Sequence, residues 1–294
     1  MCHYCRGAAS SNKKFNLTSA ASFVFVACPL RCHKNQTTPL WQVNLALCSS
    51  EATVNDDSRQ DTYIICSTPR TGSTLLCELL ASTGLAGNPH SYFRSQDIEK
   101  RSSEWELQPQ GGFPVYLEAV RRLTSTPNSV LGLRVMWGTL DEILGELRSL
   151  RGNADDIILL EKEFGRLRFI HLTRGDVVGQ AISLYKAEKS DYWHSTQPGI
   201  PCQSVHYNFD EIAKRIESLR NDNAAWLEWF ESVGVEPLSV SYEELELDPQ
   251  ATADRVLRYL GLEYSGTTSA PNKKLADGTT DEWRDRFLRE MGAT

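Results

Sequence analysis

The chain has 294 residues, 40% hydrophobic and 23% charged, a composition that suits a globular protein with one large α/β domain or two small ones. Its 31 Lys plus Arg against 38 Asp plus Glu give a formal charge of −7, which lacks the basic footprint of a nucleic-acid binder. With that acidic balance, any basic residues that matter must act locally. No apolar run approaches the roughly 18 residues that span a bilayer.

Residues 1–60 form a poorly ordered N-terminal extension in this reading. Ser, Thr and Asn are abundant, and SAASFVFVACPL (19–30) is the only strong apolar run. Lys13 and Lys14 ahead of FVFVAC make a weak export signal. The C-x-x-C at 2–5 with CxxxCH at 28–33 has irregular spacing for zinc, so no metal is expected. Five of the eight cysteines lie in these first 50 residues, and Cys66, Cys77 and Cys202 follow. That distribution is not a disulfide framework and favours a reducing, cytoplasmic setting.

From Asp61 the pattern becomes regular. TYIICS (62–67) reads as a buried strand and STLLCELLAST (73–83) as an amphipathic helix. SVLGLRVMW (129–137) reads as a second strand followed by a helix at 140–150, and LRFIHLT (167–173) as a third strand. The next helix, DVVGQAISLYKAEK (176–189), is capped by Asp176. The longest helical pattern, 208–234, carries Ile212, Ile216, Leu219, Trp226, Leu227 and Phe230 on one face, and is a candidate surface for a homodimer. A short strand at 236–245 and a closing helix at 249–262 complete the series. Alternating strands and helices predict an α/β three-layer sandwich with a mostly parallel sheet, one domain over 61–294. Ligands of such sheets bind beyond the carboxyl ends of the strands, where the loops 67–74 and 173–176 both fall.

The first of these loops is Pro69-Arg70-Thr71-Gly72-Ser73-Thr74. It keeps the glycine, the hydroxyls and the helix N-terminus of a nucleotide-triphosphate loop but has no lysine. Free amides at a helix start bind anions whatever the side chains are, and an arginine fork adds bidentate recognition of tetrahedral oxyanions. The second loop presents Arg174, with Ser183 two turns into the following helix. Together the two loops suit a ligand with two phosphate-like groups on one nucleoside.

These residues carry a resemblance. RTGSTLL (70–76), AGNPHSYF (86–93), LGLRVMW (131–137), RGDVVGQAIS (174–183) and DEWRDRF (281–287) follow in the order seen in bacterial carbohydrate sulfotransferases of the trehalose 2-sulfotransferase family. The likeness spans about residues 61–290. It implies a phosphate-loop nucleotide-binding fold of the sulfotransferase type and 3′-phosphoadenosine 5′-phosphosulfate as sulfuryl donor. By the same likeness Arg70, Thr71, Gly72, Ser73 and Thr74 hold the 5′-phosphosulfate, Arg174 and Ser183 hold the 3′-phosphate, and Trp283 and Arg286 help to close the nucleotide site. The expected acceptor is a hydroxyl of a sugar or glycolipid, with trehalose as the precedent.

The family's base is a glutamate in the segment after the first helix, and Ser91 aligns with it here. Serine cannot act as a base at neutral pH, whereas the adjacent His90 can. His90 is therefore the expected base, with Arg70 and Ser91 as further catalytic residues and Asn88, Ser91 and Tyr92 near the acceptor. Arg134 lies in a strand that reads as buried; it contacts acceptor or sulfate, or else forms a structural ion pair. Trp137 and Tyr92 offer flat surface for a sugar ring or simply pack in the core. The polar, aromatic segment 190–207 is the expected acceptor loop. Two other functions compete: a phosphate-loop small-molecule kinase, which needs the lysine that is missing, and a non-catalytic phosphoadenosine-binding module.

Overall fold

The computed structural model describes residues 61–193, 205–270 and 278–292. The expectations placed on residues 1–60, and most of the expected acceptor loop, lie outside these described residues.

Among the described residues four strands form one sheet: β1 (Asp61–Ser67), β2 (Val130–Met136), β3 (Arg166–Thr173) and β4 (Leu238–Ser241). Their order across the sheet is β2-β1-β3-β4 and all pairs are parallel. Each strand is short and rich in β-branched and aliphatic residues, and β1 is buried along nearly its whole length. Successive residues of β1 face opposite layers. Ile64 and Cys66 join one core, while Tyr63 and Ile65 join the other. That alternation makes the middle of a three-layer sandwich, as the sequence pattern predicts.

Over the first face lie α3 (Gly112–Thr124), α4 (Trp137–Arg151), α5 (Asp156–Phe164) and part of α7 (Phe209–Ser232). Over the second lie α1 (Ser73–Ala81) and α9 (Pro249–Leu260). The short α8 (Tyr242–Leu247) leads into α9. A third core joins α6 (Val177–Ser190) and the start of α7 to α10 (Gly278–Gly292). The sequence pattern passes over α3, α5 and α2 (Ser95–Glu104), and takes α9 as the closing element although α10 follows it. None of these helices follows an extended β-branched run, so the strand-led reading had no marker for them.

Two details differ from the pattern. Helix α4 begins at Trp137 rather than at Leu140, directly after β2. On α7 the buried stripe is Ile212, Ile216, Leu219, Trp226, Trp229 and Phe230, while Leu227 is 59% exposed. Leu227 sits about 100° around the helix from Trp226, at the edge of the buried stripe, where it meets solvent. Cys66 and Cys77 are free and buried, where a thiol behaves as a small hydrophobe.

Candidate active site

The site forms where β1 and β3 end side by side, Ser67 in register with Leu172. Beyond β1 the chain turns sharply. Arg70 has φ 66° and Gly72 has φ 77°. A non-glycine residue in the left-handed region costs about 1 kcal/mol or more, and such strain concentrates at functional sites. Gly72 is required twice over, because a Cβ there would lie 2.7 Å from the Tyr242 ring. As the N-cap of α1 it offers no side chain, and α1 begins without a side-chain cap. Its first amides are therefore left without an intrahelical partner, the arrangement that binds an anion.

The loop is braced from behind. Thr71 donates from Oγ1 to the Thr68 carbonyl at 3.0 Å. Gln180 of α6 donates from Nε2 to Thr68 Oγ1 at 2.9 Å and to the Pro69 carbonyl at 2.7 Å. Trp226 donates its indole N–H to the Ser67 carbonyl at 3.2 Å. These bonds join α6 and α7 to the loop, and Ser73 is buried at its turn into α1.

Three arginines converge on this end of the sheet. Arg70 donates from Nε to Ser183 Oγ at 3.0 Å and from Nη1 to the Trp193 carbonyl at 2.8 Å. Arg174 reaches the Arg70 carbonyl from Nη1 at 3.4 Å and stands over the Tyr242 ring at 4.4 Å. The Arg174 Nε is buried with no partner among the described residues. Burial and then the Arg174 charge both lower the pKa of Arg70, so the two guanidiniums press on each other. An anion between them would relieve that repulsion.

Arg134 is 8% exposed. It donates from Nε to Ser91 Oγ at 3.0 Å and from Nη1 to Thr74 Oγ1 at 2.8 Å. No carboxylate among the described residues pairs with it, so the structural ion pair is not what the sequence placed in this strand. A buried guanidinium with only hydroxyl partners is costly, and an anion is the group that would offset it. Arg134 thus bridges the start of α1 and the segment that carries the candidate base.

That segment lies along the free edge of β2. His90 forms a parallel bridge with Leu133, and Arg134 donates its amide to the His90 carbonyl at 3.0 Å. Gly132 permits the approach, since a Cβ there would lie 2.8 Å from Pro89 and closer still to the Tyr63 hydroxyl. His90 Nδ1 is 3.0 Å from the Ser91 carbonyl. A carbonyl only accepts, so Nδ1 carries the proton and Nε2 keeps its lone pair. Burial first, and then the Arg134 charge, pull the imidazole pKa from 6.5 down to about 4. The ring is neutral at physiological pH, with the basicity of a glutamate (about 4.3 in a free side chain).

Other expected residues are placed differently. Tyr92 is 2% exposed and spends its hydroxyl on the Asn88 carbonyl at 2.6 Å, which leaves no face for a sugar. Asn88 itself is exposed. Trp137 is half-buried and packs edge-on against Trp226 at 5.1 Å. Trp283 is buried between Tyr185 and Tyr207, and Arg286 pairs with Glu290 and stacks on Tyr207 at 3.9 Å. None of these contacts is with the first loop. From the same helix it is Arg284 that reaches inward, 3.5 Å from Asp176.

The sequence reading passed over Gln180, Tyr242 and Glu243. Gln180 was visible only as a polar residue on an apolar helix. Tyr242 and Glu243 follow β4, whose parallel pairing with β3 in the order β2-β1-β3-β4 no local pattern announces. Among the described residues no group of three His, Cys, Asp or Glu is arranged to hold a metal, and no helix is long and apolar enough to cross a membrane.

A parallel α/β sheet with an uncapped, glycine-turned helix start, and with further cations at the neighbouring strand ends, defines a phosphate-loop protein built for anionic groups. The model of the Stf0 sulphotransferase family matches residues 62–290, and the chain belongs to that family; it is a sulfotransferase. Trehalose 2-sulfotransferase of Mycobacterium tuberculosis is 30% identical over 253 residues, covering 78% of this chain and 94% of that protein. The protein of the same name from Mycolicibacterium smegmatis is 27% identical over 255 residues, with the same coverage. Among solved structures, the sulfotransferase domain of the Synechococcus PCC 7002 olefin synthase has a TM-score of 0.44 at 17% identity, covering 79% of this chain and 90% of that one. Mouse sulfotransferase SULT7A1 complexed with PAP has a TM-score of 0.39 at 15% identity, covering 81% and 69%.

Proposed function

We propose that this sulfotransferase uses 3′-phosphoadenosine 5′-phosphosulfate and sulfates a hydroxyl of a sugar or glycoconjugate. The observation that carries the donor is the pair of anion-seeking elements at adjacent strand ends: the uncapped start of α1, and Arg174 with its unpartnered Nε beside Arg70 and Ser183. Two anionic groups on one nucleotide fit two such elements. The relatives named for trehalose support a sugar acceptor. The cytosolic supply of this donor supports a cytoplasmic setting.

The donor supplies an activated sulfuryl group whose bond to the 5′-phosphate oxygen breaks as a bond to the acceptor oxygen forms. In this reading the amides of Gly72–Thr74 hold the 5′ end and stabilise the leaving oxygen. The Arg70 guanidinium, bonded to Ser183, stands with Arg174 at the 3′-phosphate. Its side chain thus serves the nucleotide, and the catalytic cation is Arg134, set between Thr74 and Ser91. Arg134 neutralises charge on the sulfuryl oxygens in transit, and Thr74 and Ser91 fix its plane. His90 accepts the acceptor hydroxyl's proton at Nε2 while Nδ1 stays bonded to the Ser91 carbonyl. Ser91 holds Arg134 in place and takes no proton. Asn88, exposed on the same segment, is available to the acceptor. A kinase is not favoured, since the loop lacks the lysine.

The test is incubation with sulfur-labelled donor and a panel of sugars, with and without EDTA, alongside thermal-shift measurements with adenosine 3′,5′-bisphosphate and with ATP. Labelled sulfate on a sugar, unaffected by EDTA, is expected, with stabilisation by the bisphosphate. Stabilisation by magnesium-ATP alone would sink the donor assignment, and bisphosphate binding without transfer to any sugar would sink the acceptor assignment.

A further inference from the structure

Beside Arg174 lies a carboxylate that no step above uses. Glu243 accepts from the Gly175 amide at 3.1 Å and 3.2 Å through its two oxygens, and from the Asp176 amide at 3.2 Å. Two consecutive amides ahead of a helix form the kind of pair that takes an anion. In this protein the chain's own carboxylate fills it. A donor phosphate at the end of β3 is therefore left to side chains, Arg174 above all.

Glu243 is delivered there by the sheet. β4 pairs with β3 so that Ser241 lies opposite Thr173, the residue before Arg174. Ser241 and Glu244 then form a reciprocal capping box that fixes the first turn of α8. Between these two capping residues, Tyr242 and Glu243 are turned toward the end of β3. The Tyr242 ring lies 4.4 Å from the Arg174 guanidinium carbon, and the Glu243 carboxylate holds the peptide that follows Arg174. One dipeptide grips the arginine at its charged end and just beyond its backbone.

We propose that Glu243 is a positioning residue for the nucleotide site: it holds the Gly175–Asp176 amides so that Arg174 is set for the donor's phosphate before the donor arrives. Preorganisation of this kind appears in affinity, because the unbound arginine would otherwise have to be ordered on binding. The inference rests on the donor reading above. Its test is calorimetric binding of adenosine 3′,5′-bisphosphate together with steady-state kinetics for wild type, Glu243→Ala, Glu243→Asp and Glu243→Gln. Loss of these bonds to a carboxylate is expected to weaken bisphosphate binding and raise the donor KM by about tenfold in Glu243→Ala, with kcat within about twofold. Glu243→Gln retains an oxygen that can accept from both amides and should recover most of the affinity. Glu243→Asp, one methylene too short, should not, and it keeps the experiment informative where the alanine variant folds poorly. A merely structural role would lower the melting temperature while the folded fraction bound as wild type does; unchanged affinity in Glu243→Ala and Glu243→Asp overturns the proposal. Wild-type protein that fails to bind the bisphosphate overturns the donor reading itself, which separates the two failures.

Discussion

The ends of β1 and β3 are neighbours in one sheet, yet they are prepared for anions in opposite ways. After β1 the helix start is bare: Gly72 has no capping side chain, and the first amides of α1 are free for a ligand. After β3 the helix start is closed. Asp176 caps α6 by accepting from the Gly179 amide at 3.0 Å, and Glu243 takes the two amides before it. In the proposed reading, binding at the first end falls to the backbone, and at the second to Arg174 and Ser183. The backbone end suits a group that must be held while its charge changes, because fixed dipoles need no reorganisation. The side-chain end suits a group that only anchors.

That contrast is open to experiment at both ends. The largest effect is expected at the reacting side. His90→Gln should lower kcat by on the order of 10²–10⁴ at saturating donor, the usual contribution of a general base; an unchanged rate would remove His90 from that role. Because the imidazole pKa lies at about 4 and the base acts when neutral, the wild-type rate should hold steady down to pH 5 and fall only as pH drops through about 4. The same shift bears on stability. Between 6.5 and about 4 the unfolded chain binds a proton that folded His90 does not, so stability is fully present above 6.5 and declines as pH falls toward 4. His171, whose pKa burial also lowers, adds to that decline. Acid unfolding followed at several pH values in wild type and His90→Gln separates the two contributions.

Next in size is Arg134→Met, which should reduce kcat by on the order of 10²–10³ with little change in bisphosphate affinity, as expected for a charge that acts on the group in transit. Arg174→Met should do the reverse. Bisphosphate affinity should fall by roughly 10- to 100-fold, with a smaller effect on kcat, as a charge-assisted bond to phosphate is lost. If both variants changed kcat and affinity alike, the division of labour between the two strand ends would be wrong. The smallest effect belongs to the cap. Asp176→Ala should cost about 1 kcal/mol of stability, seen as a melting point lower by roughly 2–4 °C.

Much of this was legible in the residues. TYIICS followed by PRTGST carries its own strand, turn and helix start, because β-branched runs, a left-handed glycine and a helical apolar stripe are local signals. The Asp176 cap was legible for the same reason. Arg134 stood out as a charge in a buried strand, but whether a carboxylate met it depended on what packs across β2. Tyr92 takes the packing alternative on the same ground: nothing near it in the chain shows that its hydroxyl is spent on Asn88 and its ring is covered. The resemblance points to Trp283 and Arg286, but packing turns both toward Tyr207, while Arg284 faces Asp176.

By itself the sequence determined an α/β chain with a lysine-free phosphate loop, a second arginine at an equivalent strand end, and a histidine where a carboxylate would be expected. Only the tertiary structure decided how these act together. It brought Arg70 onto Ser183 across 113 positions of chain, left Arg134 without a counter-ion among the described residues, and lowered the basicity of His90 to that of a carboxylate by burying it beside that charge. Local patterns encode backbone shape because neighbours in sequence set it. Desolvation, charge balance and long-range hydrogen bonds are set by neighbours in space.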